Sequence, residues 1–409
     1  MPQRKATQHT RSGMRLGGLV LAGLAIALHV TNYGAMIPAI RADLHVSAGQ
    51  VGLLSTVLFI GVGLAYPLGG WLSDRYGPRW ILVGSLFCIG SGGILTAMIP
   101  DLTWMLLCRG IVGVGIGIAL VAGSQAAVAL GQQGTALGQG LFGGATQAGA
   151  ALGIILPPLV QTMAGWRVAL ESAGLPALAV SVLWFLLPEE RSPRRTQGFA
   201  RIIGALRTPS IWLLGVMLLG TLGLGQAMAP WLPLLLVSTT TRVPLTLGAT
   251  TAALVLLIGA CLRILGGVVL VRGLLPPMAL IRGATVLACV GMGLLALPLF
   301  SIKVLGSLLL IGGTCAPFAA IFGEANRAGQ EISLGAGTVQ GTISMISAPG
   351  AALGPAAIGF LEHSPSLSLA LVPVALLGAA ACLAAFLYPG LTGQLAAPEK
   401  RLPRKEPVA

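Results

Sequence analysis

The stretch VGLLSTVLFIGVGLAYPLGGWLSDRYGPRWILVGSLFCIGSGGILTAMI, residues 51–99, holds two apolar runs separated by one short charged loop. The charged residues of that loop are Asp74, Arg75 and Arg79, and neither run contains another charged side chain. Each run has the ~20 residues that a helix needs to cross the ~30 Å hydrocarbon core of a bilayer. The pattern therefore predicts two membrane-spanning helices joined by a loop at the membrane surface.

The same pattern continues along the whole chain. Of its 409 residues, 55% are hydrophobic and only 9% are charged, and the mean hydropathy is +0.91. Ordinary soluble domains do not have this composition. Twelve apolar runs reach membrane-spanning length: 16–40, 47–72, 80–99, 102–130, 135–163, 166–187, 209–238, 245–271, 277–299, 304–323, 335–361 and 367–388. We predict an all-α polytopic membrane protein with twelve transmembrane helices in two pseudo-symmetric six-helix bundles.

The net charge of +13 is explained by where the basic residues lie. Most of the 24 lysines and arginines fall in loops and tails that share one side of the membrane if both termini are cytoplasmic. This is the positive-inside distribution, so the charge does not indicate nucleic-acid binding. The basic residues before the first apolar run then flank a retained helix rather than a cleaved secretory signal. The exceptions are Arg109 and Arg263, which lie inside apolar runs.

A long polar connection, residues 188–208, divides the chain into two halves. We predict a six-helix bundle over residues 1–187, a cytoplasmic linker over 188–208, and a second bundle with a basic cytoplasmic tail over 209–409. The halves echo each other: LGGWLSDR (68–75) matches LGGVVLVR (265–272), and AGAALG (148–153) matches PGAALG (349–354). Such repeats are typical of transporters that rock two halves around a central site. The 59 glycines suit helices that slide, or equally helices in static close packing.

Enzyme and metal chemistry find no support in the sequence. The six cysteines lie within apolar runs without a CxxC pair, and the four histidines are scattered, so we predict no metal and no cofactor. No acid, base and nucleophile converge in the sequence, and no phosphate-binding loop of the ATPase type is present. We therefore predict no enzymatic activity. A non-transporting membrane receptor remains an alternative from a different class.

The loop between the second and third runs carries a specific motif. GGWLSDRYGPR resembles the signature loop of the major facilitator superfamily, G-x-L-x-D-R-x-G-x-R, with these residues in register: Gly70, Leu72, Asp74, Arg75, Gly77 and Arg79. The resemblance implies a cytoplasmic gate in which Asp74 and Arg75 pair across the two halves in one conformation and release in the other. In the second half Val271 stands where the acid would be, so a second gate is in doubt.

Further stretches are similar to the same superfamily. RGIVGVGIG (109–117) resembles its fourth-helix motif, which implies a role in coupling for Arg109, although a structural role is the competing interpretation. GWR (165–167), opening the sixth helix, is a common feature of that family.

A drug/proton antiporter is the alternative within transport, but such proteins are expected to carry a G-P-x-x-G-G motif in the fifth helix and an intramembrane acid. Here the fifth helix places prolines at 157 and 158.

Arg263 decides the hypothesis about cargo. It is the one charged residue between residues 243 and 271, and a charge inside the membrane normally faces a cavity and has a partner. No acid is predicted beside it, so an anionic substrate could be that partner. Its position resembles that of the helix-eight arginine in nitrate/nitrite porters and in monocarboxylate-type anion carriers. Tyr66 stands where the nitrate branch has a second arginine. The alternative is that Arg263 snorkels towards the inner interface, or bonds backbone carbonyls.

Other polar residues within the runs could line the same cavity or hold helices together. His29, Asn32 and Tyr33 share one face of the first helix. The fifth, seventh and eleventh helices supply the following: Gln139, Thr146, Gln147, Gln226, Gln340, Ser344 and Ser347. From these we predict a substrate site of Arg263, His29, Asn32, Tyr33, Tyr66, Gln147, Gln226, Gln340 and Ser344. For proton coupling the titratable candidates are His29 and Glu171, together with Arg109.

The sequence therefore predicts a secondary active or facilitative transporter that moves a small organic or inorganic anion, such as a monocarboxylate, by alternating access. We expect a monomer in a bilayer, specifically the bacterial inner membrane, with a small-molecule substrate and with or without a co-transported proton. The sequence leaves open the cargo, the direction of transport and the coupling.

Overall fold

The computed structural model describes residues 2–128, 135–187, 200–229, 231–237, 243–361 and 367–395, and every regular element in them is a helix. The first half contains α1 (Pro2–Thr31), α2 (Ile37–Leu44), α3 (Ala48–Tyr76), α4 (Pro78–Leu95), α5 (Leu102–Val128), α6 (Thr135–Ser172) and α7 (Gly174–Leu186). The second half contains α8 (Ala200–Leu206), α9 (Pro209–Leu218), α10 (Leu224–Met228), α11 (Leu232–Leu236), α12 (Leu245–Val271), α13 (Pro277–Leu295), α14 (Phe300–Cys315), α15 (Phe318–Glu331), α16 (Ala336–Leu361) and α17 (Leu367–Leu395).

These helices confirm the predicted membrane fold. Ten segments of the described chain are helical, long and apolar enough to cross a bilayer. The longest, Ala136–Leu186, leaves helical geometry at Gly165, where φ is 85°, and so contains the fifth and sixth predicted helices. With that segment counted as two crossings, α16 completes the predicted twelve. Large apolar side chains remain exposed, Leu64 at 74% and Met163 at 88%, as contact with lipid requires.

The first helix ends earlier than predicted. We expected helix through residue 40, but α1 ends at Thr31 and a short 3₁₀ turn, Gly34–Met36, separates it from α2. Pro38 lies in the first turn of α2 and has no N–H to donate back to the preceding turn. The helix therefore restarts instead of running through, and the break leaves Asn32 and Tyr33 at the end of α1.

The seventh and tenth helices are also interrupted. The seventh passes from α9 through a π-helical turn, Leu219–Gly223, into α10, and resumes as α11 with Pro233 in its first turn. The tenth breaks between α14 and α15 at Pro317, and it extends to Glu331 where we predicted an end at residue 323. Proline explains both breaks because it cannot donate into the helical ladder.

The two halves meet along α3–α16 and α6–α12. At the inner end of the first pair, a Cβ on Gly70 would collide with the carbonyl oxygen of Gly337. In the second pair a Cβ on Gly267 would lie 2.7 Å from the carbonyl oxygen of Ala136. Glycine thus permits the same close backbone approach in both interfaces. The boundaries of the two bundles at residues 188 and 209 stay a prediction.

Within the first half, α3 and α5 also touch backbone to backbone. A Cβ on Gly113 would collide with the carbonyl oxygen of Leu58. We expect Gly113→Ala to lower stability by about 1–3 kcal/mol because the packed helices must separate. The matched control is Gly84→Ala in α4, where a Cβ meets nothing within 4 Å. Thermal unfolding of both variants in detergent checks this, and equal midpoints would contradict a tight α3–α5 contact.

Candidate functional site

A cavity lies between the two halves near the middle of the membrane helices. Its walls come from α1, α3, α5 and α6 of the first half and from the seventh helix, α12, α15 and α16 of the second. Its volume is about 50 Å³, which gives room for roughly three to five water-sized groups. A site at the interface of the repeats is the arrangement expected of a rocking transporter.

Arg263 on α12 reaches into this cavity and is only 3% exposed. Its Nη1 donates hydrogen bonds to the carbonyl oxygen of Gly143, at 3.1 Å, and to Oγ1 of Thr146, at 3.2 Å, both on α6. Its Cζ lies 4.5 Å from the centre of the Phe318 ring. These contacts place the guanidinium in the interface between the halves, neither in lipid nor at the inner surface.

One donor of the guanidinium is unused. Nε is buried without a hydrogen-bond partner. Besides the two acceptors of Nη1, the guanidinium has the Cys315 thiol as a side-chain hydrogen-bond neighbour. No carboxylate among the described residues forms an ion pair with Arg263. The described lining of the cavity contains no Asp, Glu or His, so Arg263 is its one formal charge. Nε–H and Nη2–H are the parallel donors that match two oxygens of a planar anion.

Glycine makes room for this arginine. A Cβ on Gly143 would lie 2.7 Å from Cδ of Arg263 and 2.8 Å from the ring of Phe318. Any larger side chain at position 143 would push the guanidinium out of its place. The sequence GGATQ at 143–147 thus supplies, in one turn of α6, the space for the charge and two acceptors for it.

Four other predicted substrate residues line the same cavity: Tyr66, Gln147, Gln226 and Ser344. Tyr66 is 2% exposed, and the side chain of Gln226, which also lines the cavity, is the hydrogen-bonding neighbour of its hydroxyl. The structure therefore brings together five of the nine predicted residues, counting Arg263.

The predicted residues of α1 lie elsewhere, around Arg109. Nη1 of Arg109 donates to the carbonyl oxygen of His29, and Nη2 donates to Oδ1 of Asn32, both at 2.9 Å. Its Cζ lies 5.0 Å from the ring centre of Tyr33. All four residues are at most 2% exposed, and none lines the cavity between the halves. This geometry favours the structural interpretation of Arg109, which joins α5 to α1 within one half.

Gln340 and Glu171 also lie outside the lining of this cavity. Gln340 is fully buried and its Nε2 donates to Oδ1 of Asn326 at 2.9 Å, which joins α16 to α15. Glu171 is partly exposed near the end of α6. Their predicted roles in substrate binding and coupling stay predictions.

The aromatic part of the site was missed. Phe142, Phe318 and Phe322 line the cavity, and no sequence signal separated them from the other apolar residues of their helices. Thr146 was singled out as polar, but its role as a partner of Arg263 depends on a contact across 117 residues of sequence. Only the rotation of α6 and α15 about their axes could have shown these partners.

At the inner end of the interface, Asp74 bonds across the two halves. Its Oδ2 accepts from the Thr338 amide at 3.0 Å and from the Thr338 hydroxyl at 2.7 Å, and its Oδ1 accepts from the Gly337 amide at 3.3 Å. Within its own half, Gln125 donates to Oδ1 at 2.9 Å. The carboxylate thus caps the start of α16, where unpaired amides and the helix dipole favour an anion.

The other residues of the predicted gate stay within the first half. Arg75 lies against the rings of Trp71 and Tyr76, with its Cζ 5.5 Å and 5.4 Å from their centres. Arg79 donates to the carbonyl oxygens of Trp184 and Phe185, at 3.2 Å and 2.7 Å. Gly77 has φ of 89°, the turn conformation that favours glycine. The cross-half partner of Asp74 is therefore the start of α16, and the predicted pairing of Arg75 across the halves stays a prediction.

The bond from Asp74 to α16 predicts a local change in protection. Asp74→Asn removes the charge and one acceptor, so we expect the amides of Gly337 and Thr338 to exchange about tenfold faster or more. Hydrogen exchange read by mass spectrometry over residues 336–340 measures this.

The matched control is Asp101→Asn, since Oδ2 of Asp101 accepts from the Trp104 amide at 2.8 Å at the start of α5. That variant should leave residues 336–340 unchanged. Unaltered exchange at α16 in Asp74→Asn would show that the carboxylate does not hold the interface.

Comparison with known proteins finds relatives that match only part of this chain and whose names indicate different functions. A synaptic vesicle 2-related protein of Rattus norvegicus is 32% identical over 41% of this chain and 31% of its own length. A cyanate transport protein of Escherichia coli is 28% identical over 53% of the chain and 56% of its own. A protein of Cupriavidus necator named as a sulfoacetate transporter is 28% identical over 46% and 42%. A lincomycin resistance protein of Streptomyces lincolnensis is 27% identical over 53% and 46%.

The chain thus spans between 31% and 56% of the length of these relatives. A family model is matched far more completely: the one described as Major Facilitator Superfamily covers residues 19–355. That span runs from α1 into α16 and includes both interfaces and the cavity. The chain therefore belongs to the Major Facilitator Superfamily and is a multi-pass membrane protein.

Proposed function

We propose that this protein transports a small monovalent anion by alternating access, and that the anion binds Arg263. The observation that carries the proposal is the buried guanidinium in the cavity between the halves, whose Nε has no hydrogen-bond partner and which has no carboxylate partner among the described residues. The cyanate transport protein among the relatives supports an anion as cargo.

The physical reason is the cost of an unbalanced charge. A cation in a low-dielectric cavity is destabilised by several kcal/mol unless other groups offset it. One carbonyl, one hydroxyl and one aromatic ring offset part of that cost for Arg263. A bound anion supplies the rest, because its two oxygens accept from Nε and Nη2 in parallel. Cargo binding therefore neutralises the one formal charge of the described lining.

The same features disfavour cationic drugs. A cation in a cavity of this size would lie close to the guanidinium, and like charges repel strongly where water is excluded. A volume of about 50 Å³ also leaves no space for a drug-sized molecule in this conformation. A drug/proton antiporter remains the alternative that the lincomycin resistance protein would favour.

Proton coupling is a separate question from anion binding. The predicted coupling residues His29, Arg109 and Glu171 lie outside the cavity lining, so a coupled proton would have to bind at a distance from the anion. A facilitator or an anion exchanger needs none of these groups. We keep the predicted orientation, with both termini cytoplasmic in a bacterial inner membrane, as part of the proposal.

Anion transport should depend on Arg263. In proteoliposomes we expect Arg263→Ala to reduce counterflow of labelled formate, acetate, propionate, nitrate and cyanate on the order of 100-fold for every anion that the wild type carries. Arg263→Lys keeps the charge but loses the fork of parallel donors, so we expect about a tenfold loss. Varying the anion concentration shows whether the loss is in affinity.

Arg282 offers a matched control. It donates to the carbonyl oxygen of Ala385 at 3.1 Å and lies 5.4 Å from the ring centre of Phe386, yet it is outside the cavity lining. Arg282→Ala removes the same kind of contacts and should keep anion transport. Wild-type rates in both Arg263 variants would overturn the proposal, as would carriage of a cationic drug but of no anion.

A further inference from the structure

Two cysteines of the second half lie side by side. Cys289 is on α13 and Cys382 is on α17, and the Cys289 thiol has the Cys382 thiol as its side-chain hydrogen-bond neighbour. Neither residue lines the cavity between the halves. They are far apart in the sequence and form no CxxC pair, so the packing of two helices brings the thiols together.

The register of α13 and α17 accounts for this contact. The two helices pack against each other, and Nε of Arg282 donates to the carbonyl oxygen of Ala385 at 3.1 Å. Further along α13, Sγ of Cys289 would lie 3.7 Å from a Cβ on Gly378, which is closer than Ala385 to the start of α17. The residue number thus rises along α13 while it falls along α17, and the two helices are antiparallel.

Antiparallel packing turns the two thiols towards each other. The Cα–Cβ bond of a helical residue tilts towards the N-terminus of its own helix. From Cys289 this direction leads to the level of Cys382, and from Cys382 it leads to the level of Gly378 and Cys289. Gly378 and Cys382 are one turn apart on the same face of α17. Because Gly378 has no side chain to fill the space, the Cys289 thiol lies directly against this face.

The thiol pair opens towards the membrane. Both cysteines are partly exposed, and the next residues along the two helices, Val290 and Leu383, are exposed apolar side chains. Both helices are long and apolar enough to span a bilayer, so the exposed side of the pair faces lipid. Hydrocarbon disfavours ions and ionised thiols. A ligand for this pair must therefore be uncharged, soluble in lipid and able to bind two neutral thiols.

We propose that Cys289 and Cys382 form a dithiol site for trivalent organic arsenicals of the type R–As=O, which reach it through the lipid. The reaction is R–As=O + 2 R′SH → R–As(SR′)2 + H2O. Two S–H bonds and the arsenic–oxygen bond break, two As–S bonds form, and both protons leave with the oxygen as water. Arsenic stays trivalent, so the step needs no oxidant or reductant. Thiol sulfur is the ligand that soft centres prefer, and the product is uncharged, as the lipid-facing position requires.

Labelling of the full-length protein in proteoliposomes tests this site. Phenylarsine oxide is added, β-mercaptoethanol then removes arsenic held by single thiols, and mass spectrometry of the intact chain counts what remains. We expect one adduct per chain that resists the monothiol and is released by dithiothreitol. Peptide mapping should show arsenic joining the peptide of Cys289 to that of Cys382. No resistant adduct, or an adduct on other cysteines, would overturn the proposal.

Three substitutions show whether both thiols are needed. Cys289→Ala and Cys382→Ala each leave one thiol, so resistant binding should fall on the order of 100-fold, because the second As–S bond no longer forms within the site. Cys88→Ala is the matched control and should keep the adduct. Cys88 is also a partly exposed cysteine of an apolar helix, but its thiol donates to the carbonyl oxygen of Ile111 at 3.7 Å. Undiminished binding in either single-thiol variant would contradict a paired site.

The site is independent of the proposed anion transport. Both cysteines lie on helices of the second half and outside the cavity lining, whereas the anion proposal depends on Arg263. Arg263→Ala should therefore bind phenylarsine oxide as the wild type does. Loss of the resistant adduct in that variant would show that the arsenical binds in the cavity, and the dithiol site would then be wrong.

Discussion

The structure depends on keeping one guanidinium buried between two halves that must separate. Nε of Arg263 is buried without a hydrogen-bond partner, and no described carboxylate forms an ion pair with the guanidinium. Its charge is spread over partners that are each weak: a carbonyl, a hydroxyl and the face of a ring. Together these partners offset only part of the free-energy cost of burying the charge. A partly stabilised charge suits a binding site, because a bound ligand can then lower the free energy further.

Arg109 shows the alternative for the same residue type. Two of its nitrogens donate hydrogen bonds to the C-terminal end of the first helix, and the ring of Tyr33 lies against its guanidinium. Those partners belong to the same half, so rocking of the halves does not alter them. Arg263 instead bonds residues of the opposite half. Nε of each arginine is buried without a hydrogen-bond partner, so the two differ in which half supplies their other partners.

The number of crossings, the charged loop after α3 and the intramembrane position of Arg263 could be predicted because they follow from apolar run length and charge alone. The partners of Arg263 could not, because Phe318 and Thr146 are remote in sequence and Thr146 lies on α6, a long helix with few polar side chains. A helix without a polar face does not reveal its rotation about its axis. The same limit explains why Asn32 and Tyr33 were predicted at the substrate site although they surround Arg109. Pro38 and Pro317 mark two of the helix breaks in the sequence. Each lies within a long apolar run, and we predicted each run as one continuous helix.

Under the proposed function, cargo binding and movement of the halves would both involve Arg263. Its Nη1 bonds to Gly143 and Thr146 tie α12 to α6, so separating that interface breaks two hydrogen bonds to a buried cation. A ligand shifts a conformational equilibrium only by its difference in affinity for the two states. An anion at Nε lowers the cost of losing the Nη1 bonds, because the guanidinium then keeps a charged acceptor. At the other interface Asp74 must leave the amides of α16, and Val271 offers no equivalent acid on α12. The two interfaces are thus held by different interactions, although both supply side chains to the cavity, Arg263 from one and Tyr66 and Ser344 from the other.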